Sequence, residues 1–127
     1  MKFTEHKDPS INVVRRIEDD TIWVNDQPLA GSFYMTHRHL QPQWDIQHFD
    51  QLTETHLEAL LALDPELILL GTGTEQHFLP PALQAFVLGR GVGIETMRND
   101  AACRTWNVLT TEDRPVVLAV IMDGKAD

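Results

Sequence analysis

Residues 65–97 read PELILLGTGTEQHFLPPALQAFVLGRGVGIETM, and their pattern decides the fold. Residues 67–70 are Leu-Ile-Leu-Leu, a run without a polar position. A strand with one wet face alternates polar and apolar side chains. An unbroken apolar run predicts a strand covered on both faces, as in a parallel sheet between layers of helix. Gly71 and Gly73 end the run. Glycine reaches backbone angles barred to other residues, so Gly71-Thr72-Gly73-Thr74 predicts a turn at the C-terminal end of the strand. Pro80 and Pro81 suit a helix start, where the first backbone N–H groups have no helical partner in any case. Leu83, Phe86 and Val87 recur at helical spacing, and Gly89 and Gly91 predict the stop. Residues 92–97 predict a second strand. Strand, helix and strand in so short a span form a βαβ unit with parallel strands.

The flanking sequence is read against that unit. Residues 11–17 and 21–24 predict an antiparallel hairpin about Asp19-Asp20. Asn25-Asp26-Gln27-Pro28 predicts a second turn, residues 29–35 a third strand, and Trp44-Asp45-Ile46 a short extended piece. Residues 52–63 predict a helix with Leu57, Leu60 and Leu61 as its buried stripe. Two starts fit it: Thr53 as cap with a Leu52–Leu57 staple, or a Thr55–Glu58 capping box. Asp64-Pro65 stops it. Asn99 is read as the N-cap of a further helix reaching about Leu109, with Ala102, Trp106 and Leu109 on one face. Pro115 opens a last strand, residues 116–122, apolar throughout and therefore expected in the sheet centre; its direction is left open. A hairpin followed by alternating helices and strands gives an α/β domain with a mixed, partly parallel sheet over residues 11–127, preceded by a polar tail at 1–10.

Composition bounds the function. The chain has 127 residues, 10 basic and 19 acidic, for a formal charge of −9. Nucleic acid, whose phosphates need a basic face, is disfavoured, as is a standing patch for anionic lipid. Cys103 is the single cysteine, so no internal disulfide forms and a reducing compartment fits. No apolar stretch is long enough for membrane insertion, and the opening residues MKFTEHKDPS resemble neither a secretory leader nor a transit peptide. A cytoplasmic setting is expected.

The candidate chemistry is sparse. Gly71 to Thr74 offers flexible backbone donors, but no lysine stands at the Walker position and Gln76 leaves the dinucleotide pattern incomplete. A plain strand-to-helix turn and a site for a small anion both remain open. Gly93 inside a strand predicts close approach of another backbone. His37 and His39 would share one face of a strand, yet no carboxylate or cysteine nearby completes a metal set. Cys103 reads as a small buried thiol among Ala101, Ala102 and Trp106. Glu95 is a carboxylate in a strand expected to be mostly covered, with Arg104 as a candidate partner. No catalytic residues, metal or cofactor are assigned.

Three segments carry a resemblance: Gly71-Thr72-Gly73-Thr74, Gly91-Val92-Gly93-Ile94-Glu95-Thr96-Met97, and Ala101-Ala102-Cys103-Arg104-Thr105-Trp106-Asn107-Val108-Leu109, with Gly31-Ser32 and Trp44 in support. Together they resemble the small-domain family of unknown molecular function that includes the third mitochondrial complex I assembly factor and the adipogenesis-associated Mth-domain-containing protein. The resemblance runs from Ile17 to Ile121. It departs at Arg98 and Asn99, where the family often has an acidic residue and a threonine, and at Trp106, where tyrosine is usual. It implies a three-layer α/β fold, a bacterial single-domain member and no established enzymatic activity. The expected role is a non-enzymatic interaction or assembly factor with an unidentified protein partner. The alternative is a binder of a small anionic ligand, or an enzyme of unassigned chemistry.

Any site is expected at one sheet edge. Parallel strands put Gly71 and Met97 at the same end, where the helix after Met97 presents its unpaired N–H groups and positive dipole end. The candidate ligand-binding residues are Gly71, Thr72, Gly73, Thr74, Met97, Arg98 and Asn99, with Glu95 and Arg104 behind them.

Overall fold

The computed structural model describes residues 11–112 and 114–123; the expected tail at 1–10 and the closing residues 124 and 125 lie outside them. Eight strands and three α-helices follow in order: β1 (Val14–Ile17), β2 (Ile22–Val24), β3 (Gln27–Leu29), β4 (Phe33–Met35), β5 (Leu40–Gln41), α1 (Glu54–Leu61), β6 (Leu67–Gly71), α2 (Pro81–Leu88), β7 (Gly93–Met97), α3 (Asn99–Leu109) and β8 (Val116–Val120). One sheet has the order β5-β4-β8-β6-β7 and the other β1-β2-β3. β6 pairs in parallel with both β7 and β8, while β4 lies antiparallel to β8. The sheet is therefore mixed, and the apolar last strand sits in its middle, parallel to β6.

Alternate residues of the central strands feed two cores. Leu69, Val116, Leu118 and Val120 pack with Phe33, Met35, Ala102, Cys103 and Trp106 under α3 and the small sheet. Ile68, Leu70, Val117 and Ala119 pack with Leu57, Leu60, Leu61 and Val87 under α1 and α2. Three layers result, and both faces of β6 and β8 are dry, as their unbroken apolar runs require.

Local structure departs from expectation at several points. The expected third strand divides. Gln27 and Pro28 extend the hairpin as β3 instead of turning, with Asn25 at φ 53° in the two-residue loop between Val24 and Gln27. Pro28 is tolerated because β3 is an edge strand. The chain then crosses at residues 30–32 into the large sheet. Trp44 and Ile46 are buried without being strand. Thr53, not Thr55, caps α1, and His56 completes the reciprocal box by accepting from the Thr53 N–H at 3.1 Å. Gly89 stays right-handed at φ −65°; the left-handed residue is Gly91 at φ 79°. A β-carbon on Gly93 would meet its nearest atom at 3.5 Å, ordinary contact, so no close backbone approach explains that glycine.

Candidate functional site

The turn leaves β6 where Gly71 stands opposite Met97 of β7 and Val120 of β8. Gly73 and Asn99 are neighbours there, the Asn99 N–H donating to the Gly73 carbonyl at 2.9 Å. The turn and the start of α3 thus share one sheet edge, and their groups are already engaged. The Gly73 N–H donates to Asn99 Oδ1 at 3.0 Å, and Asn99 Nδ2 donates to the Ile121 carbonyl at 2.9 Å. Thr72 is buried; its hydroxyl donates to the Glu75 carbonyl at 2.7 Å and accepts the His77 N–H at 3.1 Å. The Thr74 N–H reaches Asp123 Oδ2 at 3.2 Å and its hydroxyl reaches the same oxygen at 3.4 Å. Gly73 sits at φ 115°, a conformation that favours glycine, and a β-carbon there would stand 2.5 Å from Asp123 Oδ2, so a larger residue would also displace that carboxylate.

Asn99 is therefore not the helix cap. α3 begins at Asn99, and Arg98 holds the cap position without a side-chain capping bond. The Asn99 amide instead joins the ends of β6 and β8 to α3. In sequence this role is disguised, because asparagine before a helix is a stock capping residue.

Beside the clasp lies an open depression of about 350 Å³, walled by Ile17, Glu18, Asp19 and Ile22 of the hairpin on one side and by Gly73, Thr74, Arg98, Asn99, Asp100, Arg104 and Met122 on the other. Of the expected site residues, Gly73, Thr74, Arg98, Asn99 and Arg104 border it, while Gly71, Thr72, Met97 and Glu95 do not. Arg98 and Arg104 both reach Asp100 Oδ2, at 3.3 and 3.5 Å. Glu95 is a correction: it is exposed on β7, the outermost strand, and Arg104 pairs with Asp100 instead. The expected cover is missing because β7 ends the strand order and has a neighbour on one side only. Glu18, Asp19 and Asp123 were missed; only the parallel register and the hairpin's placement bring them here, and neither leaves a local signal.

Two further recesses flank the sheet. One of about 260 Å³ is bordered by His48, Phe49, Asp50, Thr72, His77 and Asp123, with the His77 and Phe49 rings stacked at 5.0 Å. Another of about 360 Å³ is bordered by His37, Arg38 and His39 with Pro65 and Pro115. His37 and His39 do not share a strand face: they lie in the bend between β4 and β5, and His37 packs its ring edge on Trp106 at 5.3 Å. Among the described residues no group of three or more His, Cys, Asp or Glu is arranged to hold a metal ion.

Cys103 is fully buried, and burial first, then the Asp100 carboxylate, pushes its thiol from 9.0 up to about 12, with Arg104 opposing. Native protein at neutral pH is expected to resist iodoacetamide and to react after unfolding in urea; rapid native labelling would refute the burial. A folded-state value above the unfolded one contributes stability that is complete below about 9 and fades as pH climbs towards 12. The wild type should therefore lose more stability in that window than Cys103→Ala.

A model of the family described as "Protein of unknown function (DUF498/DUF598)" matches residues 14–121. Among curated proteins, the "13 kDa major membrane protein" of Francisella tularensis is 34% identical over 82 residues, covering 65% of this chain and 67% of that protein. The "NADH dehydrogenase [ubiquinone] 1 alpha subcomplex assembly factor 3" of Drosophila melanogaster is 30% identical over 101 residues, covering 76% of this chain but only 51% of its own length. The chain thus spans about half of that relative. Among solved structures, a Bordetella pertussis protein described as an Mth938-like domain superposes with a TM-score of 0.83 at 30% identity, over 99% of this chain and 95% of that one. A Xanthomonas campestris protein gives 0.83 at 38% identity, over 99% and 96%.

Proposed function

The chain belongs to the DUF498/DUF598 family of proteins of unknown function, and from that premise we propose that it is a non-enzymatic interaction or assembly factor that works by holding another protein. The observation that carries this reading is Phe78, 79% exposed on a loop fixed on several sides. Gln76 Nε2 donates to the Thr96 carbonyl at 2.9 Å, the Thr72 hydroxyl accepts the His77 N–H, and the His77 ring stacks on Phe49. Ordering a loop to present an aromatic ring to water costs free energy unless something covers the ring. Relatives named as assembly factors support the same reading by analogy of fold and sequence. The cytoplasmic setting expected from the sequence and the bacterial membership implied by the resemblance belong to this proposal, and cell fractionation tests the first. Among the described residues no helix is long and apolar enough to cross a membrane.

Affinity purification at native expression is the direct test. Wild type should recover a reproducible partner that Phe78→Ser loses, with both proteins equally folded. No reproducible partner, or full recovery by Phe78→Ser, counts against it.

The depression with Arg98 and Arg104 favours a second reading, a small anion or carboxylate bound beside the clasp. The acids Glu18, Asp19 and Asp100 oppose it. A thermal-shift series with phosphate, citrate and glutamate decides: a true ligand at a hundred times its Kd stabilises by about 2.7 kcal/mol. No shift removes the reading.

A further inference from the structure

We propose that the outer face of α2, with Phe78 at its start, docks a basic amphipathic helix of a partner protein. This rests on the interaction reading above and names its surface and the chemistry of its occupant.

The sequence of α2, PALQAFVL, contains no charged residue, in a chain that is 23% charged. Its inner side is accounted for: Val87 is buried, and Leu83 and Phe86 pack against the core under α1 and α2. Pro81, Ala82, Ala85 and Leu88 are exposed. Pro81, Ala85 and Leu88 follow one another at helical spacing as an apolar stripe, with the exposed, uncharged Gln84 beside it. Leu88, 51% exposed, closes the stripe, and Phe78, 79% exposed, precedes α2 by three residues in the chain. Ala82 and Ala85 carry only methyl groups, so a second helix can approach closely. Eight residues of helix make a stripe about 12 Å long, the length of two turns.

The surroundings select the charge of the occupant. Glu54 and Glu58 are exposed on α1, which packs beside α2. Glu75 lies on the Phe78 loop, and Asp50 borders the same recess as His77. Arg90 lies over the Phe86 ring of α2 and bonds Glu58 at 3.0 and 3.1 Å, so that pair is neutral and the unpaired charge near α2 is left to acids such as Glu54. An uncharged stripe with Glu54 on the neighbouring helix and Glu75 on the preceding loop, on a chain of formal charge −9, complements an apolar helix face flanked by lysine or arginine. A second copy of this chain would bring the same carboxylates against the first, and an anionic membrane would be repelled likewise.

The probe is a fluorescent leucine–lysine peptide of about 18 residues, long enough for five helical turns, titrated into the full chain. Wild type should bind it, more weakly as salt rises, and should ignore a leucine–glutamate peptide of equal length. Ala85→Arg should raise the Kd at least about tenfold. Val108→Arg, which adds the same charge at a position 65% exposed on α3, should change it little. If Ala85→Arg fails to fold by circular dichroism, Phe78→Ser gives the same reading. Equal loss in both arginine variants would mean non-specific attraction, and unchanged binding by Ala85→Arg would place the peptide elsewhere; either overturns the proposal. So would a concentration-dependent dimer in sedimentation that Ala85→Arg abolishes, because the occupant would then be a second copy. If the native partner still co-purifies with Ala85→Arg, the interaction reading stands and this face falls.

Discussion

Trp106→Ala is expected to lower the unfolding free energy by about 4 kcal/mol. Trp106 is fully buried in the core beneath α3. It is the largest fully buried side chain, and its removal leaves a void that the surrounding strands can close only in part. Its Nε1–H donates to the Asn12 carbonyl at 3.1 Å in a buried setting. That carbonyl belongs to a knot: the Asn12 N–H donates to the His37 carbonyl, and its side-chain amide reaches the Thr36 and His39 carbonyls at 2.9 and 3.2 Å. Losing the indole therefore also slackens the link between the chain before β1 and the bend after β4. Trp106→Phe separates the two contributions. It keeps most of the ring and loses the bond, at a cost of about 1–3 kcal/mol. Urea unfolding measures both. A loss below about 1 kcal/mol in the alanine variant would show that the core repacks freely around this position.

Much of this architecture is legible because apolar pattern reports burial. The runs in β6 and β8 announce strands covered on both faces, and the spacing of Leu57, Leu60 and Leu61 announces the side of α1 that faces them. The glycine turn after β6 and the proline start of α2 mark where the crossover begins. The division between β3 and β4 leaves no such trace, since residues 29–35 read as one extended segment whether they serve one sheet or two. Edge placement is equally silent: Glu95 reads as covered because β7 is half apolar, and only the strand order exposes it. The candidate edge is legible from parallel topology alone. What fills it is not, because Asn99, Asp123 and Thr72 act through bonds between side chains and distant backbone, which have no periodicity. Asn107 shows the same thing. Its amide exchanges both bonds with Val14, at 2.9 and 2.8 Å, tying α3 to β1 as a strand neighbour would. In sequence it is one polar residue on a helix.

The second large effect tests whether the Asn99 clasp closes the sheet edge. Its amide satisfies the Gly73 N–H and the Ile121 carbonyl, both partly buried, and Asn99→Ala leaves both without their partner. A buried polar backbone group stripped of its bond costs about 1–3 kcal/mol, so a combined loss of about 2–4 kcal/mol is expected. Asn99→Asp keeps the acceptor for Gly73 and gains a charge favoured at a helix start, but it sets an oxygen against the Ile121 carbonyl. It should fall between wild type and alanine. Gly71 supplies the internal check. A β-carbon there would run into Asn99 Oδ1 and stand 3.3 Å from the Asn99 Cα, so Gly71→Ala alone pushes α3 off the end of β6. In the Asn99→Ala background the colliding amide is gone, and the same glycine substitution should cost less. The double variant is therefore expected to be more stable than the sum of the two single losses predicts, by about 1–2 kcal/mol, within the range seen for residues in direct contact. Additivity within about 0.5 kcal/mol would mean that the two residues act separately. The close packing of Gly71 on Asn99 would then not be what seats α3 against the end of β6.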